Sequence, residues 1–413
     1  MEDSIDRTYT DLVQRVVEEE DFFGRAQRND LESRYPVENI AALKAVGVPG
    51  MAIARRHGGP GHTVATQTRV IEDIAYGDPS TAACVNMHWV VADIIGEHAD
   101  RLPAQAALLR DCAQRGAMFA GGAAIPADVL DPARCGARFR RVRGGWQGSG
   151  RVGFATNSEG ASYVGTIAAV VDEDDEPAGR CILVLNPPLD TPGIRVIRDW
   201  DAMGLRASAT NTILIEDAFV GAEHAFELDL DALKNSTREP GRAASVSVRR
   251  ARSQIAKGGM WLGHCQRIRE LLISFLRQRR GSGSVVVRGA QMERRADAAW
   301  AQAELGHLVH WVESGRLVLY ASVAEIADEQ LDPVVRAEKL LTAMYHMRRM
   351  CEEVAVSTFR LAGAHGFVAG RPIERAYRDL MGFVATSYKA PDLVENIGRA
   401  ALGLPFVLNA AGG

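Results

Sequence analysis

Several features are scarce in this chain of 413 residues. Its six cysteines stand alone, at positions 84, 112, 135, 181, 265 and 351, and none falls into a Cys-x-x-Cys pair. That pattern argues against a zinc ribbon, an iron–sulfur site or a disulfide framework, and reads as buried, reduced thiols. No stretch approaches about eighteen apolar residues without a charge, so no membrane span is expected. An excess of positive charge is also missing. The formal net charge is -4, which argues against nucleic acid as a partner. The beginning of the chain carries Glu2, Asp3, Asp6 and the run Glu18-Glu19-Glu20-Asp21, unlike a secretory or transit peptide, so a cytoplasmic location is expected. Neither a Gly-x-Gly-x-x-Gly turn after a strand nor a phosphate-binding Gly-Lys-Ser/Thr loop is found, so neither a Rossmann domain nor a nucleotide hydrolase is signalled. His307 and His310 share a helical face, but no cluster of carboxylates or cysteines accompanies them, and no metal site is expected.

What is present suits two or three packed units with a substantial core, since hydrophobic residues make up 47% of the chain. The first 115 residues read as helices. Asp11 to Phe23 has apolar positions at helical spacing, and Pro36 opens another helix that ends near Gly47. Arg56 to Gly61 is a glycine-rich loop. Asp78 or Ser80 caps a long apolar helix that carries His88, with Pro79 near its start. From Gly145 to Val220 the pattern changes to short strands bounded by Gly, Pro, Asp and Asn, among them Thr166 to Val171 and Ile182 to Leu185. Asn235 to Arg242 reads as a linker. Beyond it the chain is helical again, from the arginines near 250 to Arg280, from Gln291 to Ala321 and from Val334 to Phe359.

Within the β-rich stretch, Trp146…Gly150-Arg151-x-x-Phe154-x-Thr156-Asn157 is followed by Trp200…Gly204-x-Arg206 and a strand through Glu216-Asp217 to Val220. These paired motifs resemble the middle domain of the acyl-CoA dehydrogenase superfamily. The glycine-rich loop at Gly58, the segment Arg279…Gly283, the turn Gly363…Gly366 and the Tyr377-Arg378-Asp379 triplet extend the resemblance over nearly the whole chain. It implies an α+β fold of acyl-CoA dehydrogenase type: an N-terminal helical domain (1–117), a middle β-barrel or sandwich domain (118–234) and a C-terminal four-helix bundle (235–413). FAD is the implied cofactor, with FMN the less favoured choice. Phe154 would wall the flavin ring, and Thr156 would hydrogen-bond the nitrogen that receives hydride, with Asn157 beside it. Arg206 belongs to the second motif. Arg279 and Gly283 would face the diphosphate or adenine side of a flavin on a neighbouring subunit, and Gly363 and Gly366 the flavin turn. The implied partners are an acyl-CoA or acyl carrier protein substrate and further copies of the chain, as a homotetramer or homodimer.

Two departures stand out. Where the superfamily has a Thr-Glu-Pro loop, the chain offers only small residues, Gly121 to Ala124. The catalytic Glu of such enzymes falls on Ser387, or at its alternative position on Ser253 or a neighbouring arginine, and neither serine can take an α-proton at neutral pH unaided. His88, on the helix that would line the pocket, is a third candidate. Three readings are open. The favoured one is an FAD-dependent oxidoreductase acting on an acyl thioester, with loss of CO2 as one route to the carbanion and secondary metabolism as its setting. The next is a flavin monooxygenase on the same fold, consistent with the Ile397-Gly398-Arg399 tail. The last is a non-catalytic subunit that pairs with an active relative.

Overall fold

A computed structural model describes residues 5–121, 135–229, 251–279, 294–386, 389–404 and 406. The N-terminal helices are α1 (Arg7–Glu19), α2 (Phe22–Glu32), α3 (Val37–Ala45), α4 (Val64–Gly77), α5 (Pro79–Ala99) and α6 (Pro103–Arg115). The single helix expected over 11–23 is in fact two. The chain breaks at Asp21, which takes a left-handed conformation (φ 45°) and caps α2 through the Gly24 amide. Pro36 is the residue before α3 rather than its first turn, and Gly47 (φ 77°) follows the helix in a conformation that glycine adopts without strain. Asp78 caps α5 as expected, accepting from the Ser80 amide at 2.9 Å, with Pro79 at the first helical position.

Among the described residues eight strands come next: β1 (Phe119–Gly121), β2 (Ala137–Val142), β3 (Gly145–Ala155), β4 (Tyr163–Val171), β5 (Pro177–Leu185), β6 (Ile194–Ile197), β7 (Asn211–Gly221) and β8 (Ala225–Asp229). They form one mixed sheet in the order β6-β7-β3-β2-β4-β5-β8, with β1 beside β4. Parallel pairing of β2 and of β1 with β4 interrupts an otherwise antiparallel ladder. Phe139, Trp146, Val152, Leu183, Leu185, Ile194, Ile213 and Ile215 are the larger members of its core, and around Phe139, Val152 and Ile215 buried residues alternate with more open ones. The Asn235–Arg242 linker lies outside the described residues.

The C-terminal helices are α7 (Ala251–Gln278), α8 (Ala299–Ala327), α9 (Pro333–Ala362), α10 (Pro372–Ala385) and α11 (Ala390–Ala401). Helix α8 starts eight residues later than the apolar pattern from Gln291 suggests, because Arg295–Asp297 forms a 3-10 turn first. One continuous core joins α1, α3, α4 and α5 to α7, α8, α9 and α10. Its tightest seam is α4 against α7. A Cβ added to Gly259 would run into the Thr68 carbonyl oxygen, and one at Gly263 into that of Glu72. Behind that seam Glu72 is buried, yet it is held by Tyr320, Gln266 and Arg69. Among the described residues no helix is long and apolar enough to cross a membrane.

Candidate functional site

Strand β3 ends in a tight, irregular turn. Phe154 takes a left-handed φ of 53°, unusual for a bulky residue, and its ring is 73% exposed. The ring meets Trp200 edge-on, with centroids 6.3 Å apart. An exposed aromatic held in a strained backbone is an open flat wall. Immediately behind it Thr156 is buried, and its hydroxyl lies 3.0 Å from that of Thr210, which lies 2.6 Å from that of Ser208. Three hydroxyls thus run in line from the Phe154 turn toward α5, where the Cys84 thiol donates to the Ser208 carbonyl.

Asn157 and Ser158 fix this ladder. The Asn157 amide donates to Ser208 O, and Ser158 donates through both its amide and its hydroxyl to Ala209 O. The Asn157 side chain is wholly buried. Its Nδ2 donates to Phe119 O, and its Oδ1 accepts from the Tyr35 hydroxyl. Asn157 is therefore committed to positioning the turn. Arg206 is likewise engaged by the protein: it donates to Asp30 O, Ala202 O and Ser33 Oγ, tying the loop before β7 to the end of α2.

His88 lies at the centre of the molecule with no exposure. Its Nε2 donates to Pro49 O at 2.9 Å, and its Nδ1 accepts from the Phe119 amide at 3.2 Å. Burial pushes its pKa down to about 4, so the ring is neutral and both nitrogens serve the backbone. It bridges α5 to the start of the sheet and leaves neither nitrogen to a substrate.

Ser253 is buried in the first turn of α7. Its amide donates to Asp93 Oδ2 and its carbonyl accepts from Asn86 Nδ2, both on α5. A carboxylate at a helix N-terminus is favourably placed against the macrodipole. One turn further along α7 stands Lys257, half-buried, with its pKa lowered by burial to about 8. Sequence reasoning passes over it, although a single charge within Ile255-Ala256-Lys257-Gly258-Gly259-Met260 is a visible anomaly. The Ser208–Thr210 pair is missed as well. Ser387 and Gly283 lie outside the described residues, as does the small-residue loop after Gly121.

A second group of residues gathers at the far end of α7. Arg279 is exposed and contacts His365, and its carbonyl accepts from the Arg295 amide at 2.9 Å. Gly363 (φ 56°) faces Arg295, and desolvation together with Arg279, Arg371 and Arg295 holds His365 below the ordinary imidazole value. The cluster is cationic and open, and suits an anionic ligand. His307, by contrast, pairs with Glu353 at 3.3 Å, and among the described residues no three metal-ligating side chains come together.

The comparisons with known proteins fit this architecture. Residues 5–108 match the family described as acyl-CoA dehydrogenase, N-terminal domain, and residues 255–390 match acyl-CoA dehydrogenase, C-terminal domain. The chain belongs to the acyl-CoA dehydrogenase superfamily. It is 26% identical to L-evernosamine nitrososynthase from a Micromonospora species, over 96% of this chain and 90% of that protein. It is also 26% identical to the putative acyl-CoA dehydrogenase YdbM of Bacillus subtilis, over 54% of this chain and 57% of that one. Among solved structures, FMN-bound TdsC from Paenibacillus sp. A11-2, a dibenzothiophene monooxygenase, superposes with a TM-score of 0.81 at 15% identity, covering 97% of this chain and 99% of that one.

Proposed function

We propose that the protein is a flavin-dependent monooxygenase, which uses reduced flavin and dioxygen to oxidise a nucleophilic heteroatom of a small molecule. The observation that carries this reading is Ser253. At the α7 position where the superfamily's alternative base would stand, there is a buried serine whose amide and carbonyl are bound to α5. Dehydrogenation of an acyl thioester needs a carboxylate within reach of the α-carbon; oxygenation does not. The likeness to a nitrososynthase over nearly the whole chain and to an FMN-bound monooxygenase supports the same reading.

The residues at the β3 turn, and separately those at the far end of α7, fit parts of a flavin. Phe154 offers an exposed aromatic face, Thr156 a hydroxyl whose orientation Thr210 sets, and Arg279 with Gly363 a cationic cradle suited to phosphate. A bound reduced flavin would supply the two electrons that activate dioxygen. The chain's part is to exclude water, to hold a hydroxyl at the ring's edge and to orient the substrate beside α5 and α7. Either FAD or FMN suits the cradle, and FMN is favoured by its presence in the TdsC structure.

The test is direct. Purified protein given chemically reduced FMN or FAD and then air, with a panel of amines and thioethers, should take up oxygen and yield oxygenated product. Acyl thioesters added anaerobically should leave bound oxidised flavin yellow. Bleaching by a thioester alone would overturn the reading and restore the acyl-thioester oxidoreductase.

A further inference from the structure

The loop that carries Ser208 and Thr210 is seated on a helix of the C-terminal region, and one buried carboxyl makes the central contact. Asp379 of α10 is 3% exposed, and its Oδ1 accepts from the Leu205 amide at 2.7 Å. The two backbones touch there: a Cβ added to Gly204 would run into the Arg378 carbonyl oxygen and the Asp379 nitrogen. Leu205 is itself buried and takes a left-handed φ of 53°, which a leucine adopts only where its surroundings hold it. Its carbonyl oxygen accepts from the Trp200 indole N–H and from the Ser208 amide, each at 3.0 Å. Leu205 is thus held at its N–H by α10, and its C=O in turn holds two neighbours. One is Trp200, whose ring meets that of Phe154 edge-on. The other is the 3-10 turn Arg206–Ser208, which is followed, after Ala209 (φ 44°), by Thr210. The aromatic wall and the hydroxyls that run to Thr156 converge on Leu205, and its amide is fixed from 174 positions away in sequence.

We propose that Asp379 is a positioning residue for the flavin site: through the Leu205 N–H it sets the Trp200 ring and the Ser208 and Thr210 hydroxyls. The proposal rests on the flavin reading of the β3 turn. What the contact needs is an oxygen acceptor at residue 379. A carboxyl offers one whether ionised or neutral, and so does the side-chain amide of asparagine; an aliphatic side chain offers none. Arg375, one turn earlier on α10, is the cation that acts most strongly on Asp379, while Asp30 on α2 and Asp78 at the head of α5 act against it. Arg375 is buried as well, so removing the carboxyl alone would strand a buried charge. Replacing both partners by apolar side chains avoids that penalty and isolates the loss of the acceptor.

The test compares Asp379→Asn with two double variants, Arg375→Met/Asp379→Leu and Arg375→Met/Asp379→Asn. In the full flavin-free chain, hydrogen exchange read residue by residue should find the Leu205 amide protected in wild type and in both variants with Asp379→Asn. With Asp379→Leu it should exchange about 10-fold faster or more. FMN and FAD are then titrated in, with flavin fluorescence and the visible absorption band as readouts. Dissociation constants should stay within about twofold of wild type wherever Asp379→Asn keeps the acceptor. With Asp379→Leu they should rise about 10-fold or more, the scale of one lost hydrogen bond to a charged group, and the band of any flavin bound should change shape. A carboxyl that only stabilised the fold would lower the melting temperature of Arg375→Met/Asp379→Leu and leave its flavin affinity and spectrum unchanged where it is folded. That result overturns the proposal, and so does rapid exchange of the Leu205 amide in wild type. Should that double variant not fold, Trp200→Phe breaks the same chain one link further on, since it keeps a ring but cannot donate to the Leu205 carbonyl. Unchanged flavin affinity and spectrum in Trp200→Phe overturn the proposal equally. Failure of the flavin reading would look different: wild type binds neither FMN nor FAD, while exchange at Leu205 still follows the residue at 379.

Discussion

Thr156 and Thr210 hold their hydroxyls 3.0 Å apart across the gap between the end of β3 and the start of β7. The two residues are 54 positions apart in sequence, yet one hydroxyl fixes the direction of the other. If Thr156 faces the flavin edge, removing its hydroxyl should slow reaction at the ring by about 10- to 100-fold, the scale of one lost preorganised hydrogen bond. Thr210→Val should slow it less, by letting the Thr156 rotor turn. Stopped-flow flavin absorbance on Thr156→Val and Thr210→Val checks both. Equal rates in wild type and Thr156→Val would remove the flavin from this hairpin.

Much of this architecture is legible in the sequence, for physical reasons that differ from element to element. The Asp78-Pro79-Ser80 cap and the alternating strands can be read because local chemistry decides them: an N-cap oxygen, a fixed proline φ, a two-residue period. Helix α4, which packs most tightly on α7, carries no such mark. Its stretch Thr66-Gln67-Thr68…Glu72-Asp73 is polar, and only tertiary contacts bury it. The site divides in the same way. Phe154 and Thr156 follow from a local motif, whereas Asn157 and Arg206 are engaged by Phe119, Tyr35, Asp30 and Ser33, partners far away in sequence. His88 looks like a pocket residue because its helix is apolar. Its two backbone partners, Pro49 in a 3-10 turn and Phe119 at the start of β1, are brought to it by tertiary packing that no periodicity reveals.

The α4–α7 seam should be intolerant of any added carbon. Gly263→Ala would drive a methyl into the Glu72 carbonyl and force the two helices apart. The expected cost is about 1–3 kcal/mol or more, the range for overpacked cores. Gly306→Ala, on α8 with nothing near its added Cβ, should be neutral or slightly stabilising through helix propensity. Urea midpoints of the two variants give the comparison, and equal midpoints would contradict the close approach.

Arg378 binds two buried carboxylates, Asp30 on α2 and Glu374 on α10, and so clamps the N-terminal helices to the C-terminal ones. Arg378→Met should destabilise by about 3–5 kcal/mol, because Asp30 is left as an uncompensated buried charge. The double variant with Asp30→Asn should recover much of that loss. Thermal unfolding of the single and double variants measures the coupling. A single variant as stable as wild type would show that the clamp contributes nothing.

His88 and His264 are both buried neutral, with pKa values pushed down to about 4 from 6.5. The unfolded chain binds protons at these sites from pH 6.5 downward, while the folded chain does so only near pH 4. Their contribution is thus complete above pH 6.5 and is lost as the pH falls toward 4, up to about 3 kcal/mol each. Asp379, raised to about 7 mainly by burial, runs the other way: its contribution is complete below pH 3.8 and lost as pH rises through 7. His88→Gln should therefore cost stability at pH 7 but flatten the acid limb. Asp379→Asn should gain on wild type between pH 4 and 7. Calorimetric melting across that range checks both signs, and an acid limb unchanged by His88→Gln would show that the imidazole is not held neutral.

Restoring a carboxylate at the superfamily's alternative base position should not by itself restore a base. Asp93 already points a carboxylate oxygen at the Ser253 amide, 3.1 Å away. A glutamate introduced by Ser253→Glu would stand beside that charge in a buried helix start, and like charge together with desolvation would hold it protonated near neutrality. Ser253→Glu alone should therefore leave flavin oxidised when an acyl thioester is added anaerobically. Adding Asp93→Asn keeps an acceptor for the amide and removes the competing charge, so bleaching should appear in the double variant and strengthen as pH rises. Bleaching by the Ser253→Glu single variant at neutral pH would mean that Asp93 does not govern the electrostatics at the head of α7.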